Sequence, residues 1–173
     1  LFDAEGDAVY DFHFGFYILV IIDTFSRYVW TRPLKSKSTK DTAEAFEDVF
    51  KEGRIPDILR SDAGKEFTGN ALKKVLDEKN ILHFVAQNET KASFSERQIQ
   101  TLKMKLTKDI YERQNKEWLS RLQALTLGYN NSVHSSTGMA PSRINEKNED
   151  EVRFQQYLIR AKRNKTMKIL GKK

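Results

Sequence analysis

Two carboxylates in the sequence have the spacing and local context of metal ligands. Asp62 closes the segment Asp57-Ile-Leu-Arg-Ser-Asp62, which is typical of a short strand, and Glu96 follows near the start of a predicted helix. A strand end and a helix beside the sheet can bring two such side chains to one site. Convergent carboxylates hold a pair of Mg²⁺ ions about 3.5–4 Å apart, and the pair activates the attacking and leaving oxygens of a phosphodiester. The two residues therefore indicate metal-dependent phosphodiester chemistry.

Both carboxylates also have an ordinary structural interpretation. Ser61-Asp62-Ala63-Gly64 is compatible with a turn in which the Asp side chain bonds nearby backbone. Ser93-Phe-Ser-Glu96 matches a capping box, in which the Glu carboxylate accepts the first free N–H of the helix. Gln100 and Lys103 share the helix face of Glu96, where an amide and a cation suit phosphate contact, although an ordinary solvated face has the same composition.

The elements that must position these residues follow from the hydrophobic pattern. Residues 16–23 form a continuous β-branched and aromatic run, which predicts a strand covered on both faces. Residues 27–34 follow after a three-residue link, which predicts an antiparallel hairpin in which Pro33 ends the pairing. Residues 1–9 can supply one more strand.

Helices and strands then alternate along the chain. Ser38-Thr-Lys-Asp41 resembles a capping box and predicts a helix from Thr39 to Glu52. The pattern further predicts a strand at 57–62, a helix around 72–80, a strand at 81–85, a long helix at 93–113 and a helix containing Trp118, Leu122, Leu125 and Tyr129. This order favours a single mixed α/β sheet flanked by helices.

Composition narrows the chemistry and the partners. The chain has no cysteine and three widely separated histidines, which excludes disulfides and gives no zinc spacing. No apolar run approaches the roughly 20 residues that span a bilayer, so we expect no membrane partner. A net charge of +6 favours a polyanionic partner. Residues 160–173 carry seven Lys and Arg and no acid, so we expect a core at 1–151 and a basic extension at 152–173 that either contacts phosphate or is merely solvated.

Four motifs, in order, resemble the catalytic core of retroviral-type integrases. They are Ile21-Ile-Asp-Thr-Phe-Ser-Arg-Tyr-Val-Trp30, Arg60-Ser-Asp-Ala-Gly-Lys-Glu-Phe67, Asn88-Glu-Thr-Lys-Ala-Ser93 with Glu96-Arg97 and Thr101-Leu-Lys103, and Tyr129-Asn-Asn-Ser-Val-His134. The similarity is closest to the integrases of Polinton (Maverick) transposons and extends to about Val152. The resemblance implies a ribonuclease-H-like fold with a five-stranded mixed sheet flanked by helices.

The resemblance also implies an Asp, Asp, Glu site that holds two Mg²⁺ (or Mn²⁺) ions. Asp62 matches the second catalytic Asp of the family, and Glu96 matches its Glu. The first Asp of the family lies on the first strand in a Trp-Gln-x-Asp context, which is missing here. Alignment places that residue just before Leu1, so we expect an N-terminally truncated core, with Asp3 as the alternative ligand. The further candidates are Asp7, Asp11 and Asp23.

The family likeness extends to DNA contacts and to partners. Lys103 matches a lysine near the viral DNA end, and we expect further DNA contacts at Lys65, Lys91, Arg97 and Gln100. The implied partners are the element's DNA ends, target DNA and further copies of the chain, and the implied compartment is the nucleus.

The implied reaction trims a 3′ end of element DNA and joins the new 3′-hydroxyl to target DNA. We expect this fragment to be weak or inactive if the first-strand Asp is missing. One alternative is a domesticated or decayed core that binds DNA or a partner without catalysis. Another is a different ribonuclease-H-like nuclease, although the motifs at 88–93 and 129–134 disfavour it.

Overall fold

The computed structural model describes residues 3–12, 16–86, 100–101, 104–105, 108 and 118–169. For 3–12, 16, 118, 163 and 165–169 it describes the backbone alone. The strands are β1 (Asp3–Phe12), β2 (Phe16–Asp23), β3 (Val29–Leu34), β4 (Ile58–Ser61) and β5 (Leu82–Val85). The helices are α1 (Thr39–Phe50), α2 (Lys65–Thr68), α3 (Asn70–Glu78), α4 (Trp118–Asn130) and α5 (Glu149–Ile169). The helix predicted at 93–113 lies outside the described residues, except for helical residues at 100–101, 104–105 and 108.

The strands form one sheet in the order β3-β2-β1-β4-β5. Strand β2 pairs antiparallel with both β1 and β3, whereas β4 pairs parallel with both β1 and β5. The predicted mixed α/β architecture is therefore confirmed. Since β1, β4 and β5 run in the same direction, their carboxyl ends meet at one edge of the sheet, which we call the carboxyl edge.

Strand β2 is covered on both faces, as its unbroken apolar sequence predicts. Every residue from Ile18 to Ile22 is buried. Leu19 and Ile21 belong to the main core, which also contains Phe46 of α1 and Leu72 of α3. Because successive side chains of a strand point to opposite faces, Ile18, Val20 and Ile22 must be covered from the other side.

Strand β3 continues through Pro33 to Leu34, so the prediction that Pro33 ends the pairing is wrong. Pro33 lies opposite Ile18, and Leu34 lies opposite Tyr17. Strand β3 is an edge strand, and its Val29 N–H points away from β2 toward α4. Pro33 lies four residues after Val29, so its nitrogen points to the same side, away from β2. The missing N–H of Pro33 therefore costs no hydrogen bond between β3 and β2.

Helix α4 covers the open edge of β3 with polar side chains. Asn130 Oδ1 accepts from Val29 N–H at 2.9 Å, and its Nδ2 donates to Val29 O at 2.8 Å. Gln123 Nε2 donates to Thr31 O at 2.8 Å. Asn130, from the motif at 129–134, is 2% exposed and therefore has a structural role. These side chains satisfy edge groups that would otherwise pair with another strand.

The predicted capping box before α1 forms in part. Ser38 Oγ accepts from Asp41 N–H at 3.1 Å, as predicted. The Asp41 carboxylate accepts from Ser36 N–H at 3.0 Å and from Ser36 Oγ at 2.9 Å instead of reaching back to Ser38 N–H. The helix ends at Phe50, two residues before the predicted Glu52, and Gly53 follows with a φ of 90°.

Helix α5 spans the expected boundary between core and extension. Val152 is fully buried, and Gln156 Nε2 donates to Phe25 O at 3.1 Å, so the first turns of α5 pack against the β2–β3 connection. Residues 160–162 and 164 are exposed. Within the described ranges, no helix has both the length and the apolar character needed to cross a membrane.

Candidate active site

Asp62 lies immediately after β4, at the carboxyl edge of the sheet. The strand itself is anchored in the core, where Leu59 and Ser61 are buried, whereas Asp62 is exposed. Asp62 Oδ1 accepts from Gly64 N–H at 3.1 Å, which is the turn geometry that the sequence allowed. This turn leaves the carboxylate in reach of solvent, so a turn role and a ligand role are compatible at this residue.

A second carboxylate, from Glu66 of α2, lies next to Asp62. A Cβ built on Gly64 would lie 2.7 Å from Glu66 Oε2 and 3.0 Å from Asp62 Oδ1. Both carboxylates therefore face the same small space beside Gly64, and a side chain at that position would require the Glu66 carboxylate to move. The family resemblance suggested DNA contact or a surface role for Glu66 and no ligand role, although its position four residues after Asp62 in the same motif was a usable signal.

The register of β1 argues against Asp3 as the partner of Asp62. Asp3 lies opposite Ile58 at the start of β4, and Glu5 lies opposite Arg60. Four residues of strand separate Ile58 from Asp62, or about 13 Å at ~3.3 Å per residue. Continued by two residues, the same register brings Asp7 level with Asp62. Among the first-strand carboxylates of this chain, Asp7 is therefore better placed than Asp3.

Asp23 is excluded as a ligand at the carboxyl edge. It pairs with Ala4, so it lies at the opposite end of the sheet from Asp62. Its fully buried carboxylate accepts from Phe25 N–H at 2.9 Å, from Ser26 N–H at 3.1 Å and from Ser26 Oγ. Burial raises the pKa of this carboxyl above its usual value, against the opposing effect of these hydrogen bonds. Asp23 closes the β2–β3 turn.

The segment that carries Glu96 leaves the sheet beside Asp62. Strand β5 ends at Val85, and Ala86 N–H donates to Ser61 O at 2.9 Å. Glu96, Lys91, Arg97 and Lys103 themselves lie outside the described residues, so their roles remain predictions.

Two of the expected DNA-contact residues are described. Lys65 is exposed at the start of α2, three residues after Asp62 and at the same edge of the sheet. Gln100 is helical and exposed. Both side chains are accessible to a ligand, as phosphate contact requires.

Behind Asp62, the buried Ser61 bonds the Asp62 backbone, and the half-buried His83 contacts Ser61. Ser61 Oγ donates to Asp62 O at 2.9 Å and lies 2.9 Å from His83 Nε2 on β5. Burial lowers the pKa of the His83 imidazole below its usual value. The sequence did not indicate this contact, because only the pairing of β4 with β5 brings residues 22 positions apart together.

Asp62 is the one predicted ligand whose side chain the structure describes, and it suits a hard divalent cation. The exposed Asp62 carboxylate supplies oxygen donors of the kind that Mg²⁺ prefers. In the described part of the chain, no group of three or more His, Cys, Asp or Glu side chains could hold a metal ion. Glu96 and the side chains of β1 lie outside that part.

The sheet and the exposed strand-end carboxylate define an α/β domain with its candidate site at the carboxyl edge. The family model described as integrase core domain matches residues 4–90, which is half of the chain. The chain belongs to the integrase core domain family.

Similar proteins are found in transposons and retroviruses. An uncharacterized transposon-derived protein of Caenorhabditis elegans is 38% identical over 126 residues, covering 72% of this chain and 44% of that protein. The Pro-Pol polyprotein of Simian foamy virus type 1 is 32% identical over 130 residues, covering 74% of this chain and 11% of the polyprotein. The chain therefore spans less than half of either relative.

The fold matches solved integrase cores. The HTLV-2 integrase catalytic core domain in complex with magnesium, solved in trimeric and dimeric forms, has a TM-score of 0.71 at 20% identity. The match covers 82% of this chain and 94% of that one. The architecture is thus that of the ribonuclease-H-like integrase catalytic cores.

Proposed function

We propose that the chain is the catalytic core of a transposon DNA integrase of the Polinton type, which trims element 3′ ends and joins them to target DNA. One observation carries the proposal. In a member of the integrase core family, the exposed Asp62 carboxylate lies at the carboxyl edge, beside the parallel strand β1 and the start of the Glu96 segment. The transposon-derived relative supports a transposon origin.

Asp62, Glu96 and one carboxylate from the first strand would hold two Mg²⁺ or Mn²⁺ ions. Asp3 was the first-strand candidate within the chain, and the register favours Asp7 over it. When bound, the ions activate the attacking oxygen and stabilise the leaving oxygen of the phosphodiester. The protein residues contribute fixed charge and orientation, because Asp62 is tied to the turn through Gly64 N–H.

DNA would lie along the carboxyl edge. Lys65, Lys91, Arg97, Gln100 and Lys103 would bind the sugar-phosphate backbone and place a phosphodiester at the carboxylates. Contacts of this kind position DNA without reading bases, so we expect low sequence preference at the target. The net charge of +6 favours association with DNA.

The proposal extends to assembly and location. We infer a homo-oligomer, which the trimeric and dimeric forms of the HTLV-2 core support. Residues 1–151 would form the core, and residues 152–173 would continue it as a basic extension. Chromosomal target DNA implies action in the nucleus.

The test is a strand-transfer assay on Asp62→Asn, with Asp57→Asn as the matched control. Both residues are exposed acids that flank β4, but they lie at its opposite ends. We expect Asp62→Asn to lose end trimming and joining with a melting temperature near that of the parent, while Asp57→Asn keeps both reactions. The assay should use the 173-residue chain and a version extended by the residues encoded before Leu1.

Two outcomes would contradict the proposal. Equal activity of the two variants would remove Asp62 from the site. DNA binding without joining, in both chain lengths and with both Mg²⁺ and Mn²⁺, would instead favour a core that binds DNA without catalysis.

A further inference from the structure

The hydrogen bonds behind Asp62 require a proton on Nε2 of His83. Ser61 Oγ has one proton and donates it to Asp62 O at 2.9 Å. The contact of 2.9 Å between His83 Nε2 and Ser61 Oγ therefore requires Nε2 to be the donor. A neutral imidazole in this contact carries its proton on Nε2.

The surroundings favour that neutral ring. Burial lowers the pKa of His83, because the imidazolium loses hydration there. Its neighbours on β5, Leu82 and Phe84, are 61% and 55% exposed, whereas His83 on the other face is half-buried against β4. His83 lies opposite Leu59 in the register, so its ring reaches along the strand to Ser61.

Asp62 depends on side-chain bonds for its orientation. The parallel ladder ends with Ala86 N–H donating to Ser61 O at 2.9 Å. Past that bond, Ser61 Oγ binds the Asp62 carbonyl, and Gly64 N–H binds the Asp62 carboxylate. The first of these two bonds is the one that His83 supports.

We propose that His83 is a positioning residue for Asp62, acting through Ser61 to fix the backbone carbonyl and hence the direction of the carboxylate. This inference rests on the proposed function, because it assigns a purpose to the orientation of a metal ligand. Groups that orient a ligand typically change metal affinity or activity 10- to 100-fold when they are removed. Because His83 is two hydrogen bonds away from Asp62, we expect the lower end of that range.

The test compares His83→Gln with His83→Asn. The Gln amide nitrogen can reach the position of His Nε2, whereas the shorter Asn reaches only the position of Nδ1. We expect His83→Asn to require about tenfold more Mg²⁺ for half-maximal strand transfer and His83→Gln to resemble the parent. Phe84→Leu is the control, since it changes the same edge strand on its exposed face.

A double-mutant cycle with Ser61→Ala tests whether the two residues act as one unit. If they do, adding His83→Asn to Ser61→Ala should not further raise the Mg²⁺ concentration needed for half-maximal strand transfer. A purely structural role would change melting temperature but not the Mg²⁺ titration. Independent losses in the two variants would overturn the proposal.

Imidazole ¹⁵N chemical shifts give a readout that does not require activity. The chain has three histidines, so the His83 signals can be assigned by substitution. We expect the Nε2–H tautomer in the parent and a shifted Nε2 resonance in Ser61→Ala, where the hydrogen-bond acceptor of that nitrogen is removed. An Nδ1–H ring in the parent would overturn the proposal.

The same assays distinguish a failure of the positioning role of His83 from a failure of the proposed function. Joining that depends on Asp62 but is indifferent to His83→Asn would overturn the positioning role alone. No metal-dependent joining by the parent, in either chain length, would overturn the proposed function and the positioning role together.

Discussion

Two different roles are predicted for the Glu96 carboxylate. As a capping residue it would accept the first N–H of its helix, and as a metal ligand it would bind a cation. Glu96→Gln separates these roles, because Gln is accepted in a capping box but lacks the charge that a hard cation requires. We expect DNA joining to be lost at every Mg²⁺ concentration, with an unchanged or higher melting temperature. An active variant destabilised by about 1 kcal/mol would make Glu96 a cap.

Gly64 allows a second experiment at the scale of one residue. Its φ of −59° and ψ of 141° suit any residue, so an alanine there introduces no backbone strain. The added Cβ would instead press on the Glu66 and Asp62 carboxylates. We expect Gly64→Ala to lose most joining activity in the strand-transfer assay while unfolding at nearly the same urea concentration as the parent.

Gly128→Ala in α4 is the matched control for Gly64→Ala. Among the described residues, no atom outside the neighbouring helix backbone lies within 4 Å of a Cβ built there, so the substitution should leave activity unchanged and stabilise the helix by up to about 1 kcal/mol. Full activity of Gly64→Ala would show that the two carboxylates tolerate displacement.

At the scale of the element, α4 protects the edge of the sheet through Asn130. Asn130→Ala would leave Val29 N–H and C=O without their partner in a buried environment. We expect it to lower the free energy of unfolding by about 3 kcal/mol, measured by urea denaturation. Asn131→Ala is the control, since Asn131 is exposed and its side chain accepts from Ser142 Oγ at 2.8 Å, and it should change stability by less than about 1 kcal/mol. Equal effects of the two changes would remove the edge-protecting role.

The register of β1 with β4 predicts the effects of substituting Asp3 and Asp7. In the register of β1 with β4, the Asp3 backbone lies about 13 Å along the strand direction from Asp62, which disfavours a shared ion. We therefore expect Asp3→Asn to retain Mg²⁺-dependent joining in the chain extended before Leu1. Asp7→Asn in the same chain tests the first-strand ligand: lost joining assigns the role to Asp7, whereas retained joining in both variants would mean that the register of β1 with β4 does not identify the ligand. If Asp3→Asn loses joining and Asp7→Asn keeps it, the register of β1 with β4 is wrong.

For the whole molecule, excess positive charge should appear as salt-dependent DNA binding. Lys65→Ala and Lys103→Ala should each weaken binding similarly for unrelated DNA sequences and reduce the salt slope of log Kd by about one. Lys51→Ala is the control, because Lys51 is exposed beyond the C-terminus of α1, in the connection that leads to the start of β4. Titrations by fluorescence anisotropy at several salt concentrations measure all three. A slope reduced as much by Lys51→Ala would mean that binding is not confined to the carboxyl edge.

The sequence by itself determined the features that depend on neighbouring residues. The apolar run of β2, the Ser38 cap of α1 and the position of Asp62 at a strand end all follow from patterns within about ten residues. The motif order also indicated the family, which the family model confirms for residues 4–90.

Only the tertiary structure decided which distant residues meet. The bond between Asn130 and Val29 joins positions 101 apart, and the contact of His83 with Ser61 depends on strand pairing. Pro33 is tolerated because β3 is an edge strand, and the preference for Asp7 over Asp3 depends on one parallel register. Periodicity shows which face of a strand is buried, but shifting a strand by two residues preserves that face while changing every partner. Register and edge position are therefore set by packing of the whole domain.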